Sequence, residues 1–344
     1  MKKLVVIFGG KSPEYGVSLQ SSYSVIKVLE NTYDLFLIGI TEEGAWYLFE
    51  GDIELIRQNK WYNTNCKKVV WSPNPKDKGF YILTEHNSEL VNVDAVFPVL
   101  HGKNGEDGTI QGLLQMSEIP MIGCDMEASA ICMNKRIAHN LVSLERIKVP
   151  KSIILDKYSI KNNDNELLSD MKYPLYVKPM RAGSSFGITR VENENQIKKA
   201  IEQAFAYDQK ITIEETIEGF EVGCSIIGSE FLTIGSVDEI ELEKRFLDYY
   251  EKYHQETLKI HVPARIPENI EQKIKEVGIK IYRTLGCKGF ARIDMFLTPE
   301  NEIVFNEVNT IPGFTQLSRF PKMMTGIGMD FNTLIQTIVK IEME

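Results

Sequence analysis

Two short stretches near the C-terminus combine residue types suited to phosphate and metal chemistry: Phe290-Ala291-Arg292-Ile293-Asp294-Met295-Phe296 and Phe305-Asn306-Glu307-Val308-Asn309. Both read as strands, along which side chains alternate faces. Arg292 and Asp294 therefore share one face, and Glu307 and Asn309 share one face of the next strand. If the strands pair, these four converge on one patch, backed by Ile293 and Met295. Ionised carboxylates brought together repel unless a cation lies between them, and hard oxygen ligands suit Mg²⁺. The bland alternative is an amphipathic hairpin with a solvated polar face. An Arg, Asp, Glu and Asn set favours a metal–phosphate site over it.

Four further segments carry chemistry. Gly9-Gly10-Lys11-Ser12-Pro13-Glu14-Tyr15-Gly16 follows a first strand, where glycines allow a ligand to approach a helix N-terminus. It is not a dinucleotide fingerprint, and Glu14 would repel a pyrophosphate. Glu14 suits either an ammonium group or, equally, the role of a first-turn acid favoured by the helix dipole. His101-Gly102-Lys103-Asn104-Gly105-Glu106-Asp107-Gly108-Thr109 lies beyond the carboxyl end of another strand, where α/β sheets bind ligands. Lys178-Pro179-Met180-Arg181-Ala182-Gly183-Ser184-Ser185-Phe186-Gly187 is a strand ending in a lysine and a small-residue loop, able to cradle phosphate oxygens. Lys135 could add a second positive charge, although taken alone it reads as a solvated helix lysine. Ile213 to Glu221 is a strand leaving into an acidic linker, with backbone groups for an adenine edge and Glu221 for ribose hydroxyls. No Gly-x-Ser-x-Gly elbow or Cys–His arrangement supports nucleophilic catalysis.

The elements that must position these residues begin with Leu4–Phe8, a buried parallel strand by its apolar run. A helix follows over Ser18–Glu30, then strands at Leu35–Ile40 and Ala95–Leu100 and a helix through Ser117. This alternation predicts a parallel α/β sheet with helices on both faces. Trp46–Leu83 reads as an insertion of helix and antiparallel strands. One helix is expected over Glu127–Leu144, strands at Ser152–Leu155 and Leu175–Lys178, a loop entering a short helix over Lys161–Ser169, and a helix over Asn195–Tyr207. Strands dominate Ile211–Val237, and Phe246–His261 reads as a long functional loop. The stripe Ile270, Ile274, Val277, Ile281, Leu285 marks a core-facing helix over Glu268–Leu285. A Gly/Pro loop at Ile311–Gly313 and a last helix from Asp330 close the chain.

A chain of 344 residues exceeds one simple core and predicts two or three lobes. A net charge of −9 argues against a nucleic-acid surface. Five scattered cysteines without a CxxC pair fit reduced thiols in a cytoplasmic protein. The apolar run after Met1-Lys2-Lys3 is too short for a signal peptide, and no stretch has the length of a membrane span.

Taken together, the strings HGKNGEDGTIQG, KPMRAGSSFG, GFARIDMF and FNEVNTIPGFT resemble the D-alanine–D-alanine ligase family of the ATP-grasp superfamily over essentially the whole chain. The resemblance implies a mixed α/β and α+β ATP-grasp fold with a Rossmann-like N-terminal domain. It implies residues 1–123 as the N-terminal α/β domain, 124–213 as a central lobe, and 214–344 as a C-terminal lobe with a mobile loop at 246–261. It also implies a cytoplasmic homodimer that uses ATP and two Mg²⁺ ions, for which Mn²⁺ can substitute.

Matched residue by residue, the family pattern gives Glu14 the ammonium of a first D-alanine, with His101 near its carboxylate. Lys135 and Lys178 match phosphate lysines, and Lys252 matches the one reaching the transferred phosphoryl. Ser185 lies in the matching phosphate loop. Glu214, Glu215 and Ile217 match the adenine linker, and Glu221 the ribose ligand. Asp294, Glu307 and Asn309 match metal ligands. Arg292 and the Gly313 N–H match oxyanion stabilisers. Ser184 and Tyr253 match the groups that latch the long loop with Glu14, and Ser318 matches the contact to the second carboxylate. Where housekeeping members usually place Leu, this chain has Arg319. Together with RAGSSFG and an intact Glu251-Lys252-Tyr253, this is most like the glycopeptide-resistance branch and, within it, the VanG type of D-alanine–D-serine ligase. D-Serine is the expected second substrate, and D-alanine the alternative that a housekeeping ligase would use. A catalytically silent nucleotide-binding module is the reading from another class. Gly16, in place of the family's usual Glu, and Gln316-Leu317, in place of Ser-His or Ser-Tyr, depart from the pattern.

Overall fold

The computed structural model describes residues 1–63, 65–158, 168–181, 183, 186–242 and 258–343. The first sheet begins with β1 (Lys3–Gly9), whose residues Leu4 to Phe8 are fully buried, and continues through α1 (Tyr15–Leu29) to β2 (Asp34–Ile40). β3 (Trp46–Phe49), α2 (Glu54–Arg57), β4 (Cys66–Trp71), β5 (Gly79–Leu83) and β6 (Ser88–Asn92) follow, and β7 (Ala95–Pro98) closes it. The strand order is β6-β5-β4-β3-β2-β1-β7. Only β2, β1 and β7 pair in parallel; β3 to β6 extend the sheet as antiparallel strands. The expected parallel sheet is thus a three-stranded core, because the insertion adds its hairpins to the sheet edge.

α3 (Thr109–Met116) leads to α4 (Met126–Met133) and α5 (Lys135–Leu144). The single helix expected over Glu127–Leu144 is therefore two. Asn134 takes ψ of 97° and its side chain accepts a hydrogen bond from the Ile137 N–H at 3.3 Å, ending one helix and capping the next. The second sheet comprises β8 (Ser152–Asp156), β9 (Leu175–Pro179), β10 (Thr189–Val191) and β11 (Lys210–Glu215), in order β10-β9-β11-β8, with α6 (Glu194–Ala204) packed against β9 and β10. The loop expected over Lys161–Ser169 falls largely outside the described residues.

The third sheet holds β12 (Phe220–Ile227), β13 (Thr233–Ile234), β14 (Asp238–Leu242) and β15 (Leu258–His261), followed by α7 (Glu268–Thr284), β16 (Phe290–Leu297) and β17 (Ile303–Asn309). Its order is β15-β14-β12-β16-β17, with β13 beside β12. Leu258–His261, expected at the end of a long loop, pairs instead with β14 as an edge strand. α8 (Arg319–Thr325), not expected from the sequence, and α9 (Phe331–Met343) complete the chain.

A cluster of buried aromatics joins the first sheet to the third. Phe97 of β7 lies 6.0 Å from Phe290 of β16 and 5.6 Å from Phe314, centroid to centroid, and Phe320 of α8 lies 5.6 Å from Phe314. All four are fully buried. Such edge and tilted contacts add roughly 0.5–1.5 kcal/mol per pair beyond area burial. They hold the Ile311–Gly313 loop against both sheets.

Two glycines separate crowding from freedom. A Cβ on Gly39 would lie 2.3 Å from the Trp61 ring, whereas one on Gly16, in the first turn of α1, meets nothing within 4 Å. Gly16 therefore sits in ordinary helical space. Gly39→Ala is expected to destabilise by about 1–3 kcal/mol through overpacking, and Gly16→Ala to be neutral or stabilising by up to about 1 kcal/mol. Urea unfolding of the two variants measures both.

Candidate active site

The hairpin of β16 and β17 brings together the residues expected to converge. Arg292 pairs with Asn309 and Asp294 with Glu307. The next pair is Met295 with Phe305, so Asn306 forms a bulge beside Glu307. Bulges twist a strand and re-aim its side chains. The Asn306 carbonyl accepts the Nε2–H of His139, from α5, at 2.8 Å. Burial lowers the His139 pKa, against the pull of the nearby Glu214 carboxylate.

Asp294 is almost fully buried yet carries a dense set of donors. Arg292 donates through Nε and Nη2 at 2.9 and 2.7 Å, and Asn309 Nδ2 at 2.9 Å. Arg319 Nη1 stands 3.3 Å away. Glu307 faces the Lys135 ammonium at 3.4 Å. Lys135 is buried, not a solvated helix lysine: the capping turn at Asn134 turns it inward.

Across the cavity, Lys178 of β9 donates to Glu214 of β11 at 2.6 Å. Burial pulls the Lys178 ammonium down, but the carboxylates of Glu214 and Glu307 outweigh it and its pKa is raised. Burial pushes the Glu214 carboxyl up, and Lys178, His139 and Lys135 more than reverse this. The second oxygen of Glu214, Oε1, is buried without a hydrogen-bond partner among the described residues. An unmade bond at a buried acceptor costs about 1–3 kcal/mol, so this atom suits a ligand N–H donor. Glu215 accepts the Lys151 N–H at 2.8 Å and, with Ile217, lines the same cavity. Glu221, on β12, accepts from Arg319 Nη1 at 2.6 Å.

The N-terminal segments close the cavity from the first sheet. Glu14 precedes α1 and is buried; a Cβ on Gly102 would lie 2.2 Å from its Oε2, and one on Gly183 would lie 3.3 Å away. It is thus set between the His101 segment and Gly183. His101 donates Nδ1–H to the Ile311 carbonyl at 2.8 Å, and its Nε2 accepts from Ser21 Oγ at 3.1 Å. Burial first, and the Arg292 charge, lower its pKa to about 4. Glu106 accepts the N–H groups of Gly102 at 2.9 Å and Ile311 at 3.1 Å. Burial and the neighbouring Glu14 raise its carboxyl to about 8. Both backbone groups of Ile311 are therefore held, two residues before Gly313. A Cβ on Gly313 would lie 2.8 Å from Ser318 Oγ, which in turn accepts the Thr315 N–H at 3.2 Å.

The cavity so enclosed measures about 1850 Å³ and is lined from all three sheets, by Glu14, Lys178, Glu214, Arg292, Asn309 and Arg319 among others. Ser184, Ser185, Lys252 and Tyr253 lie outside the described residues. Of the residues that brace the cavity, Glu106 lay in a segment marked by its glycines. Asp238, which binds Arg319, and His139 carried no signal in the sequence.

The donor set fits a hard divalent cation. Asp294, Glu307 and Asn309 offer carboxylate and amide oxygens from neighbouring positions. No group of three or more His, Cys, Asp or Glu side chains among the described residues could hold a metal by itself. Mg²⁺ is characteristically held by one or two carboxylates plus substrate phosphates.

Two sheets gripping a cation-rich, carboxylate-edged cavity define a nucleotide-dependent ligase of the ATP-grasp fold. The chain belongs to the D-alanine–D-alanine ligase family, whose N-terminal pattern matches residues 3–124 and whose C-terminal pattern matches residues 141–340. It is accordingly an ATP-dependent ligase. The VanG D-Ala:D-Ser ligase of Enterococcus faecalis superposes with a TM-score of 0.92 at 49% identity, covering 99% of each chain. The vancomycin C-type resistance protein VanC2 of Enterococcus casseliflavus is 42% identical over 100% of this chain and 99% of its own. A D-alanine–D-alanine ligase of Caldicellulosiruptor bescii is 38% identical, covering 99% of this chain and 95% of its own. No described helix is long and apolar enough to cross a membrane.

The depressed His101 pKa gives a pH test. A histidine held neutral in the fold but able to ionise when unfolded contributes stability above pH 6.5 that is lost as pH falls towards 4. Replacing it by glutamine, which has no such proton to gain, is expected to flatten the stability profile in this window by up to about 3 kcal/mol. Denaturant unfolding at stepped pH measures it; parallel profiles would contradict the assignment.

Proposed function

We propose that this ligase joins D-alanine to D-serine, making D-Ala-D-Ser for altered peptidoglycan precursors of the glycopeptide-resistance kind. The observation that carries the reading is Arg319, a buried guanidinium on the cavity wall directly after Ser318, where housekeeping relatives usually place Leu. A cationic wall favours a second substrate whose hydroxyl can accept from a guanidinium over an apolar analogue that cannot. The similarity to a D-Ala:D-Ser ligase supports it.

In this reading, residues 1–123, 124–213 and 214–344 are the three lobes, and the last two clamp ATP. Glu214 Oε1 accepts from the adenine amino group, next to Glu215 and Ile217, and Glu221 faces the ribose. Lys135 and Lys178 hold the phosphates, with Ser184, Ser185 and Lys252 closing on them. Asp294, Glu307 and Asn309 would hold two Mg²⁺ ions, or Mn²⁺, which supply charge neutralisation for the phosphates. Glu14 binds the ammonium of the first D-alanine, and His101 acts beside its carboxylate by fixing Ile311.

That carboxylate attacks the γ-phosphoryl group and ADP leaves, giving a D-alanyl phosphate. The neutral amine of the second amino acid, its carboxylate held at Ser318 and its side chain near Arg319, then attacks the acyl carbon. Arg292 and the Gly313 N–H stabilise the oxyanion before phosphate departs. Tyr253, with Ser184 and Glu14, latches the loop that excludes water from the acyl phosphate. The protein works as a cytoplasmic homodimer.

Supplying ATP, Mg²⁺, D-alanine and equimolar D-serine and resolving the dipeptides by mass tests the substrate choice. D-Ala-D-Ser is expected to predominate; mainly D-Ala-D-Ala would establish a housekeeping ligase instead. Glu307→Gln is expected to lower kcat by roughly 10²–10³-fold, with normal thermal stability, and unchanged turnover would refute the metal role.

A further inference from the structure

Helix α5 reaches β17 with two side chains from one face, since residues four apart on a helix lie one above the other. Lys135 faces the Glu307 carboxylate at 3.4 Å, and His139, one turn on, donates Nε2–H to the Asn306 carbonyl at 2.8 Å. That carbonyl belongs to the peptide unit joining Asn306 to Glu307, so a bond to it fixes the plane from which the Glu307 side chain departs. The ladder to β16 leaves this plane undetermined, because pairing passes from Asp294–Glu307 to Met295–Phe305 and skips Asn306. A bulge is where a strand bends and side chains are re-aimed. The histidine is itself held: it is buried, and its ring meets that of the fully buried Phe305 edge to face at 5.5 Å. The Phe305 N–H in turn donates to the Lys148 carbonyl at 2.8 Å. Both anchors of the bulge therefore come from α5 and the residues that follow it.

We propose that His139 is a positioning residue for Glu307, acting through the Asn306–Glu307 peptide, so that affinity for the divalent cation depends on a hydrogen bond to the backbone beside its ligand. His139 touches neither metal nor substrate in this account. The inference deepens the assignment of Glu307 to the cation given above and rests on it. One helix then sets the ligand twice, Lys135 at its carboxylate and His139 at its backbone. Partners that orient a metal ligand typically change metal affinity about 10–100-fold when removed.

The test measures Mn²⁺ binding by the full-length protein with ADP, from loss of the free-ion EPR signal, beside steady-state kinetics. His139→Phe keeps a ring against Phe305 and loses the donor, His139→Ala loses both, and His139→Gln keeps an N–H at the end of its side chain. The Phe and Ala variants are each expected to raise the Mn²⁺ dissociation constant about 10–100-fold, leaving KM for the first D-alanine within about twofold. Either one suffices where the other fails to fold. The Gln variant is expected to stay within about threefold of the wild type. Glu307→Gln, measured alongside, separates the two readings. Weakened Mn²⁺ binding there, with none in the Phe or Ala variant, would overturn this proposal alone, as would a Gln variant as weak as Phe. Unchanged Mn²⁺ binding in Glu307→Gln would remove the metal assignment and this proposal with it.

Discussion

Everything in this active site depends on how a nearly dry carboxylate is kept ionised. Asp294 is 1% exposed and surrounded by the guanidinium groups of Arg292 and Arg319 and the amide of Asn309. A lone charge there would be expelled or neutralised; satisfied by this many donors, it stays charged and fixed. Arg319 also holds Glu221 and Asp238. Glu221, Asp238 and Asp294, on three different strands, therefore share one electrostatic network through Arg319.

That network is positioned by contacts far apart in the chain. The bulge at Asn306 aims Glu307 and is anchored by His139 from the helix pair. The Ile311 backbone is gripped by His101 and Glu106 from the first sheet. The Phe97, Phe290, Phe314 and Phe320 cluster then makes the loop between them rigid. Preorganised donors of this kind need no rearrangement as charge develops, which is the main source of catalytic advantage in acyl and phosphoryl transfer.

Local pattern made part of this legible. Strand alternation alone put Arg292, Asp294, Glu307 and Asn309 on one patch, because the period of a strand is two whatever the tertiary context. Glycine-rich stretches after strands marked the Glu14 and His101 segments. What stayed hidden has a common cause. Lys135 looked solvated because a cap at Asn134, not the helix period, turns it inward. Asp238 and His139 act across long sequence separations, and a lone Asp or His carries no periodic signal. The edge strand Leu258–His261 is short and mixed, and it is defined by its partner β14 rather than by its own residues.

The most direct test is a crystal structure with ADP and Mg²⁺. The account predicts metal ions coordinated by oxygens of Asp294, Glu307 and Asn309 at about 2.0–2.1 Å, bridging to the nucleotide phosphates. Metal and phosphates seated elsewhere, with those three side chains still committed to Arg292, Arg319 and Lys135, would contradict it.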